Sequence, residues 1–136
     1  MEQITVKNTV NAPVARVWEL WNQPEHITKW NSPSDDWHCP KAENDLKPGG
    51  KLHSRMEAKD GSFGFDFEAI YDEVVDHKKI AYTMTDGRRA TTHFENLGDK
   101  TEVTTVFDPE SENPIEMQRG GWQAILNNFK AYAEKS

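Results

Sequence analysis

The chain is 136 residues long, enough for one domain with a sizeable core and too short for a catalytic domain plus a regulatory one, so a single domain over 1–136 is expected. Its 35% hydrophobic and 29% charged residues exclude a disordered chain, and five tryptophans require a large apolar interior or cavity wall. A formal net charge of -7 repels phosphate backbones and anionic bilayers, which excludes nucleic acid and membrane surfaces as partners.

In the segment from Gln3 to Val10, residues Ile4, Val6 and the polar Asn8 share one face and Thr5, Lys7 and Thr9 the other, predicting a first strand with one half-buried side. Pro13 then opens a short helix whose Val14, Val17, Trp18 and Trp21 fall at i, i+3, i+4 and i+7. Pro24 restarts the chain into a brief second helix with Ile27 and Trp30 three residues apart. Asn31 to Pro40 reads as polar and irregular around Trp37, a residue that either plugs the end of the core or stands at a functional loop.

A series of strands follows, punctuated by turns at Pro48-Gly49-Gly50, Asp60-Gly61, Asp76 to Lys79, Asp86-Gly87 and Gly98-Asp99, the pattern of an antiparallel meander. Leu52, Ser54, Met56 and Ala58 alternate with Lys51, His53, Arg55 and Glu57. Phe63, Phe65, Phe67, Ala69 and Tyr71 alternate with Gly64, Asp66, Glu68 and Ile70, so each strand has one dry and one wet face. Ile80, Tyr82 and Met84, then Ala90, Thr92 and Phe94, then Val103, Thr105 and Phe107 continue the alternation.

The longest helical signal comes last. Asn113, Pro114 and Glu116 are spaced as a capping box around a proline, and an apolar stripe runs through Ile115, Trp122, Ile125, Leu126, Phe129, Tyr132 and Ala133. A long helix after so many strands predicts an α+β fold in which a curved antiparallel sheet wraps the helix, in the order strand, two short helices, six strands, helix. Gly120 and Gly121 interrupt the stripe at about 1 kcal/mol each relative to Ala. They make room for a ligand, or else they permit close backbone packing or a local bend.

That order closely resembles the SRPBCC superfamily, with its helix-grip (START-like, birch-pollen-allergen-like) fold, and within it the branch named for the activator of the heat-shock protein 90 ATPase. The resemblance rests on Ala12-Pro13 with Val17-Trp18 and Trp21, Ile27 with Trp30, and Asp45-Leu46-Lys47-Pro48-Gly49-Gly50. It continues through Tyr71-Asp72-Glu73-Val74, Ile80-Ala81-Tyr82-Thr83, Thr101-Glu102-Val103, Gly121-Trp122, Leu126 and Asn128-Phe129, and so spans nearly the whole chain. It implies a hydrophobic small molecule, lipid or aromatic polyketide held between the long helix and the concave sheet, with cyclases and other enzymes among the members. Eukaryotic chaperone activators share this domain and carry an additional amino-terminal domain that does much of the chaperone binding. These 136 residues offer no counterpart to it.

The motifs of other chemistries are missing. His26, His38, His53, His77 and His93 show no metal-ligand spacing, adjacent His38 and Cys39 diverge in an extended segment, and no phosphate-binding glycine loop or nucleophile elbow occurs, so no metal or other cofactor is expected. Cys39 is the single cysteine, which rules out an internal disulfide. The start from Met1 to Val6 lacks the regions of a signal peptide and no run approaches the roughly 20 apolar residues of a membrane span, so the expected compartment is the cytoplasm.

The expected binding wall takes Trp30 and Trp37 from the amino-terminal third. From the strands it takes Met56, Phe65, Phe67, Tyr82, Met84 and Phe94, and from the last helix Met117, Gln118, Gly121, Trp122 and Ile125. Such a wall is apolar with a few orienting polar groups, here Tyr82 and Gln118, the latter alternatively a hydrogen-bond partner of a loop backbone and flanked by Arg119 as a second possible anchor. Asp66 and Glu68 are assigned to the solvated face. The leading expectation is binding of a small hydrophobic molecule without catalysis, by a monomer or homodimer. A cyclase- or hydrolase-like enzyme acting on an aromatic substrate is the second alternative, and a chaperone ATPase-regulating interaction domain the third.

Overall fold

The computed structural model describes residues 3–136. The expectation of no signal peptide rests in part on Met1 and Glu2, which lie outside the described residues. Ten elements follow one another: β1 (Ile4–Val10), α1 (Val14–Asn22), α2 (Pro24–Trp30), β2 (Trp37–Asn44), β3 (Lys51–Ala58), β4 (Gly64–Val75), β5 (Lys79–Met84), β6 (Arg89–Asn96), β7 (Thr101–Phe107) and α3 (Ile115–Lys135). The α+β architecture and the element order expected from the sequence are those observed.

The seven strands form one antiparallel sheet in the order β1-β7-β6-β5-β4-β3-β2, so after β1 the chain crosses to the far edge and meanders back. Alternation in β1 buries Ile4, Val6 and Val10 against α3. The register of β4 shifts between Tyr71 and Glu73, a bulge that bends the strand and curls the sheet around the helix. Beside it the turn after β2 closes onto the same strand. Gly49, at φ 84°, donates its N–H to the Tyr71 carbonyl at 2.8 Å, and the Gly50 carbonyl accepts from the Tyr71 N–H at 3.0 Å. A Cβ on Gly50 would lie 2.0 Å from the Asp45 carbonyl oxygen, which accounts for the paired glycines.

α3 lies against β1 and is tied to it by polar contacts along one side. Asn8 Nδ2 donates to Asn127 Oδ1 at 2.8 Å, Gln123 Nε2 to the Lys7 carbonyl at 3.2 Å, and Lys130 Nζ to the Thr9 carbonyl at 2.7 Å, while Glu134 accepts from the Asn11 N–H at 2.8 Å. On the other side Tyr132 meets His26 Nδ1 at 2.7 Å and Asn128 donates to the Ser32 carbonyl. The carboxy-terminal half is anchored in the core by Leu126, Phe129 and Ala133, so the packing of the amino-terminal half is left to other residues.

Three local expectations are corrected. No side chain caps α3: Pro114 occupies the cap position, Asn113 turns back to Glu110, and Glu116 pairs with Arg119 one turn on. Ile115 is 41% exposed, because the helix begins beyond the sheet that would cover it. The segment read as irregular up to Pro40 already contains β2, whose register breaks between His38 and Lys41; that bulge hides the period-2 pattern, and Pro40 is tolerated because β2 is an edge strand.

Candidate functional site

Between the amino-terminal half of α3 and the concave face of the sheet lies a cavity of about 410 Å³. The inward face of each strand supplies its floor: Leu52, Ser54 and Met56 from β3, Phe65, Phe67 and Tyr71 from β4, Ile80, Tyr82 and Met84 from β5, with Thr92 and Thr105 from β6 and β7. The helix supplies its roof at intervals of three and four, through Met117, Gln118, Gly121, Trp122, Ile125 and Leu126. Trp122 lies flat on Phe107, ring centroids 3.9 Å apart and planes 11° from parallel. That stack fixes the middle of α3 against β7. A Cβ built on Gly121 meets nothing within 4 Å, so the glycine opens space and is not there for close packing.

The inner end is closed by an aromatic cluster. Trp21 stacks on Trp30 at 4.8 Å, Phe129 meets both edge-on at 4.8 and 5.0 Å, and Trp30 Nε1 donates to the Leu20 carbonyl at 2.9 Å. At the other end Phe65 and Met117 are 42% and 63% exposed although both line the cavity, which marks the mouth between the start of β4 and the first turn of α3.

Most polar groups in the wall are already satisfied. The Tyr71 hydroxyl donates to Asn44 Oδ1 at 2.6 Å, and Asn44 Nδ2 donates to the Asn22 carbonyl at 2.7 Å. Thr92 and Thr105 share a hydrogen bond at 2.9 Å across β6 and β7. Gln118 accepts from the Glu110 N–H at 2.8 Å and donates to the Glu110 and Asn113 carbonyls at 3.2 and 2.8 Å. It therefore pins the loop before α3, the second of its two expected roles. Arg88 Nε donates to Asp86 Oδ2 at 2.7 Å.

Tyr82 differs. Its ring is held edge-on by Phe67 at 5.9 Å and Tyr71 at 6.2 Å, and its hydroxyl has no hydrogen-bond partner among the described residues. Burial pushes the pKa of this phenol well above its ordinary value, with the Arg88 charge pulling weakly the other way. Tyr71 is likewise raised by burial, and the neighbouring Tyr82 adds to the shift while the hydrogen bond to Asn44 opposes it. Both stay protonated, and Tyr71 donates its proton to Asn44.

Of the residues expected in the wall, Trp30, Met56, Phe65, Phe67, Tyr82, Met84, Met117, Gln118, Gly121, Trp122 and Ile125 are brought together around the cavity. Phe94 and Trp37 lie outside it. Phe94 packs under the short helices, edge-on to Trp18 at 5.2 Å and Trp21 at 5.7 Å, because the helical layer covers that stretch of β6. Trp37 stands behind the mouth against Phe63 and Phe65 at 5.9 and 6.1 Å. Arg119 pairs with Glu116 away from the cavity. On the outer face Asp66 accepts from His53 at 2.9 Å and Arg55 at 3.2 Å, contacts that hold its carboxyl below the usual range, and Glu68 pairs with Lys51 at 2.8 Å.

Residues that sequence reasoning did not place in the wall include Trp21, Leu52, Ser54, Tyr71, Asn44 and Arg88. The first four sit on faces with a readable period; Asn44 ends β2 and Arg88 lies in the turn before β6, where no period operates. Cys39 is buried, its thiol contacting the Lys41 carbonyl at 3.5 Å, and burial raises its pKa away from reactive thiolate. Among the described residues no helix is long and apolar enough to cross a membrane.

The family model described as "Activator of Hsp90 ATPase homolog 1-like protein" matches residues 11–134. Among solved structures, the AHSA1-like protein from Aeromonas hydrophila superposes with a TM-score of 0.92 at 36% identity, over 98% of this chain and 93% of that one. Chr148 from Cytophaga hutchinsonii gives 0.84 at 50% identity, over 98% and 92%, and CV1439 from Chromobacterium violaceum gives 0.87 at 25%, over 98% and 99%. No curated protein sequence matches the chain. With a family model matched over nearly its whole length and the same helix laid over the same curled sheet in its solved relatives, the chain belongs to the activator of Hsp90 ATPase homolog 1-like family of the SRPBCC superfamily.

Proposed function

We propose that this domain binds a small hydrophobic molecule in the cavity beneath α3 and does not transform it. The observation that carries the reading is a mostly apolar space of about 410 Å³, within the range of small-molecule pockets, roofed by a helix that stacks Trp122 on Phe107 and carries Gly121 on its cavity side. Binding is favoured over acid–base turnover by the ionisable side chains in the wall, which among the described residues are Tyr71, Tyr82, Arg88 and Glu110. Two phenols held protonated and a guanidinium are donors, and the Glu110 carboxylate is engaged by Asn113. The test is native mass spectrometry of the purified protein with titration of a neutral fluorescent apolar probe. Saturable uptake near one per chain is expected, and no uptake of any apolar probe refutes the reading.

A second reading comes from the description of the family model, which names an activator of the Hsp90 ATPase. It requires the isolated chain to stimulate that ATPase, and no stimulation at saturating protein removes it.

A further inference from the structure

Two tyrosines stand side by side in the cavity wall, Tyr71 buried and Tyr82 half-buried, yet only one has a partner within the protein. Tyr71 donates to Asn44, which is itself held by the Asn22 carbonyl. Tyr82, its edge-on neighbour, has no such partner among the described residues. No side-chain nitrogen or oxygen sealed away from water-sized space lacks a partner among the described residues, so the Tyr82 hydroxyl opens on the cavity it lines. Water can satisfy a donor that faces this space, but a ligand that displaces the water and offers no acceptor leaves the donor unmade, which is costly. Here Phe67 and Tyr71 grip the ring and fix where the hydroxyl points, while the facing helix presents Gly121, Trp122 and Ile125, none of which offers a side-chain acceptor.

The other uncommitted polar hydrogens around it are also donors. In the Thr92–Thr105 pair one hydroxyl hydrogen bridges the two oxygens and the other is free of that bond. Arg88 uses Nε on Asp86, which leaves its terminal nitrogens, and its charge is close enough to act on Tyr82. Gln118, which could have offered an acceptor, spends its carbonyl oxygen on the Glu110 N–H.

Resting on the binding reading above, we infer that Tyr82 is the specificity-determining residue of this cavity and that the ligand is an apolar molecule carrying a hydrogen-bond acceptor oxygen, a carbonyl or a carboxylate, placed to receive the Tyr82 O–H. Acceptor-free hydrocarbons of the same shape leave that donor unpaired and bind more weakly.

The test uses three probes of one shape, 2-isopropylnaphthalene, 2-acetylnaphthalene and 2-naphthoate, competing against a neutral fluorescent probe, 1-N-phenylnaphthylamine, on the full chain. On the unsubstituted protein the ketone displaces the dye at a concentration lower than the hydrocarbon by roughly tenfold, the value of one net hydrogen bond. Tyr82→Phe brings that ratio near one, each displacement being read against the variant's own affinity for the dye. Tyr132→Phe, a phenol outside the cavity that meets His26, keeps the ratio. The naphthoate arm separates the two sources of acceptor: tighter binding than the ketone, lost in Arg88→Gln, assigns a carboxylate, and weaker binding assigns a neutral carbonyl. A ratio near one on the unsubstituted protein, or one unmoved by Tyr82→Phe, overturns the inference with the cavity's binding role intact. If the neutral dye itself does not bind, the binding reading falls first and this inference with it.

Discussion

Gly120 and Gly121 are adjacent in α3 and about 100° apart around its axis, Gly120 exposed and Gly121 lining the cavity, and neither has an atom within 4 Å of the position a Cβ would take. Replacing a helix-interior glycine by alanine in open space stabilises by about 1 kcal/mol through lost unfolded-state freedom and restored helix propensity. At about 2.1 cal/mol/K per residue, 136 residues have an unfolding entropy of about 0.29 kcal/mol/K, so each substitution raises Tm by about 3.5 °C. Gly120→Ala and Gly121→Ala are therefore expected to stabilise alike in differential scanning calorimetry. Their effects on binding diverge. Gly121→Leu keeps most of the helix gain and places an isobutyl group in the cavity, so it is expected to weaken uptake of a neutral apolar probe at least tenfold, whereas Gly120→Leu leaves uptake unchanged. Loss of stability in Gly121→Ala would mean that the helix backbone packs directly on the sheet. Unchanged uptake in Gly121→Leu would place the ligand elsewhere. Either result refutes the geometry described here.

Trp122→Ala removes the stack on Phe107, and because Trp122 is only half-buried the loss is set at the lower end for aromatic truncations, about 3 kcal/mol in urea unfolding. A loss under about 1 kcal/mol would show that the stack does not support the roof. Gln118→Ala strands the Glu110 N–H and two carbonyls, so it is expected to cost about 1–3 kcal/mol and to speed amide exchange at Glu110 ahead of the rest of the chain. Exchange there that stays at its original rate refutes the pinning role. Tyr71 and Tyr82 both titrate higher in the folded state than their ordinary value of 10.0. Their contribution is thus fully present below pH 10.0 and is lost as pH rises above it, because the unfolded chain releases these protons first. Thermal unfolding followed from pH 9 upward should show Tm falling past about pH 10, with a shallower fall in Tyr82→Phe; a slope identical in the variant would contradict the burial of that phenol.

Much of this molecule is legible in the chain itself. Alternation in β3 and β4 separates Leu52, Ser54 and Met56 from Lys51, His53 and Arg55, and the solvated assignment of Asp66 and Glu68 follows from the same period of two. The helical repeat in α3 likewise brings Met117, Gln118, Gly121, Trp122 and Ile125 to one side without knowledge of any other element. Periodicity determines which face a residue occupies, and hence the architecture and most of the wall. It does not determine what that face meets. Phe94 shares the inward face of β6 with Thr92, yet it is covered by Trp18 and Trp21 while Thr92 borders the cavity. Gln118 belongs to the roof, but the loop folded back on it takes both ends of its amide. Tyr71 and Tyr82 look equivalent along the strands, and only the arrival of Asn44 from the edge of the sheet satisfies one and leaves the other free. Local sequence acts through bonds and dihedrals and so sets direction. Whether a space is filled, and whether a donor is paired, depends on groups distant in the chain whose meeting is decided by packing alone.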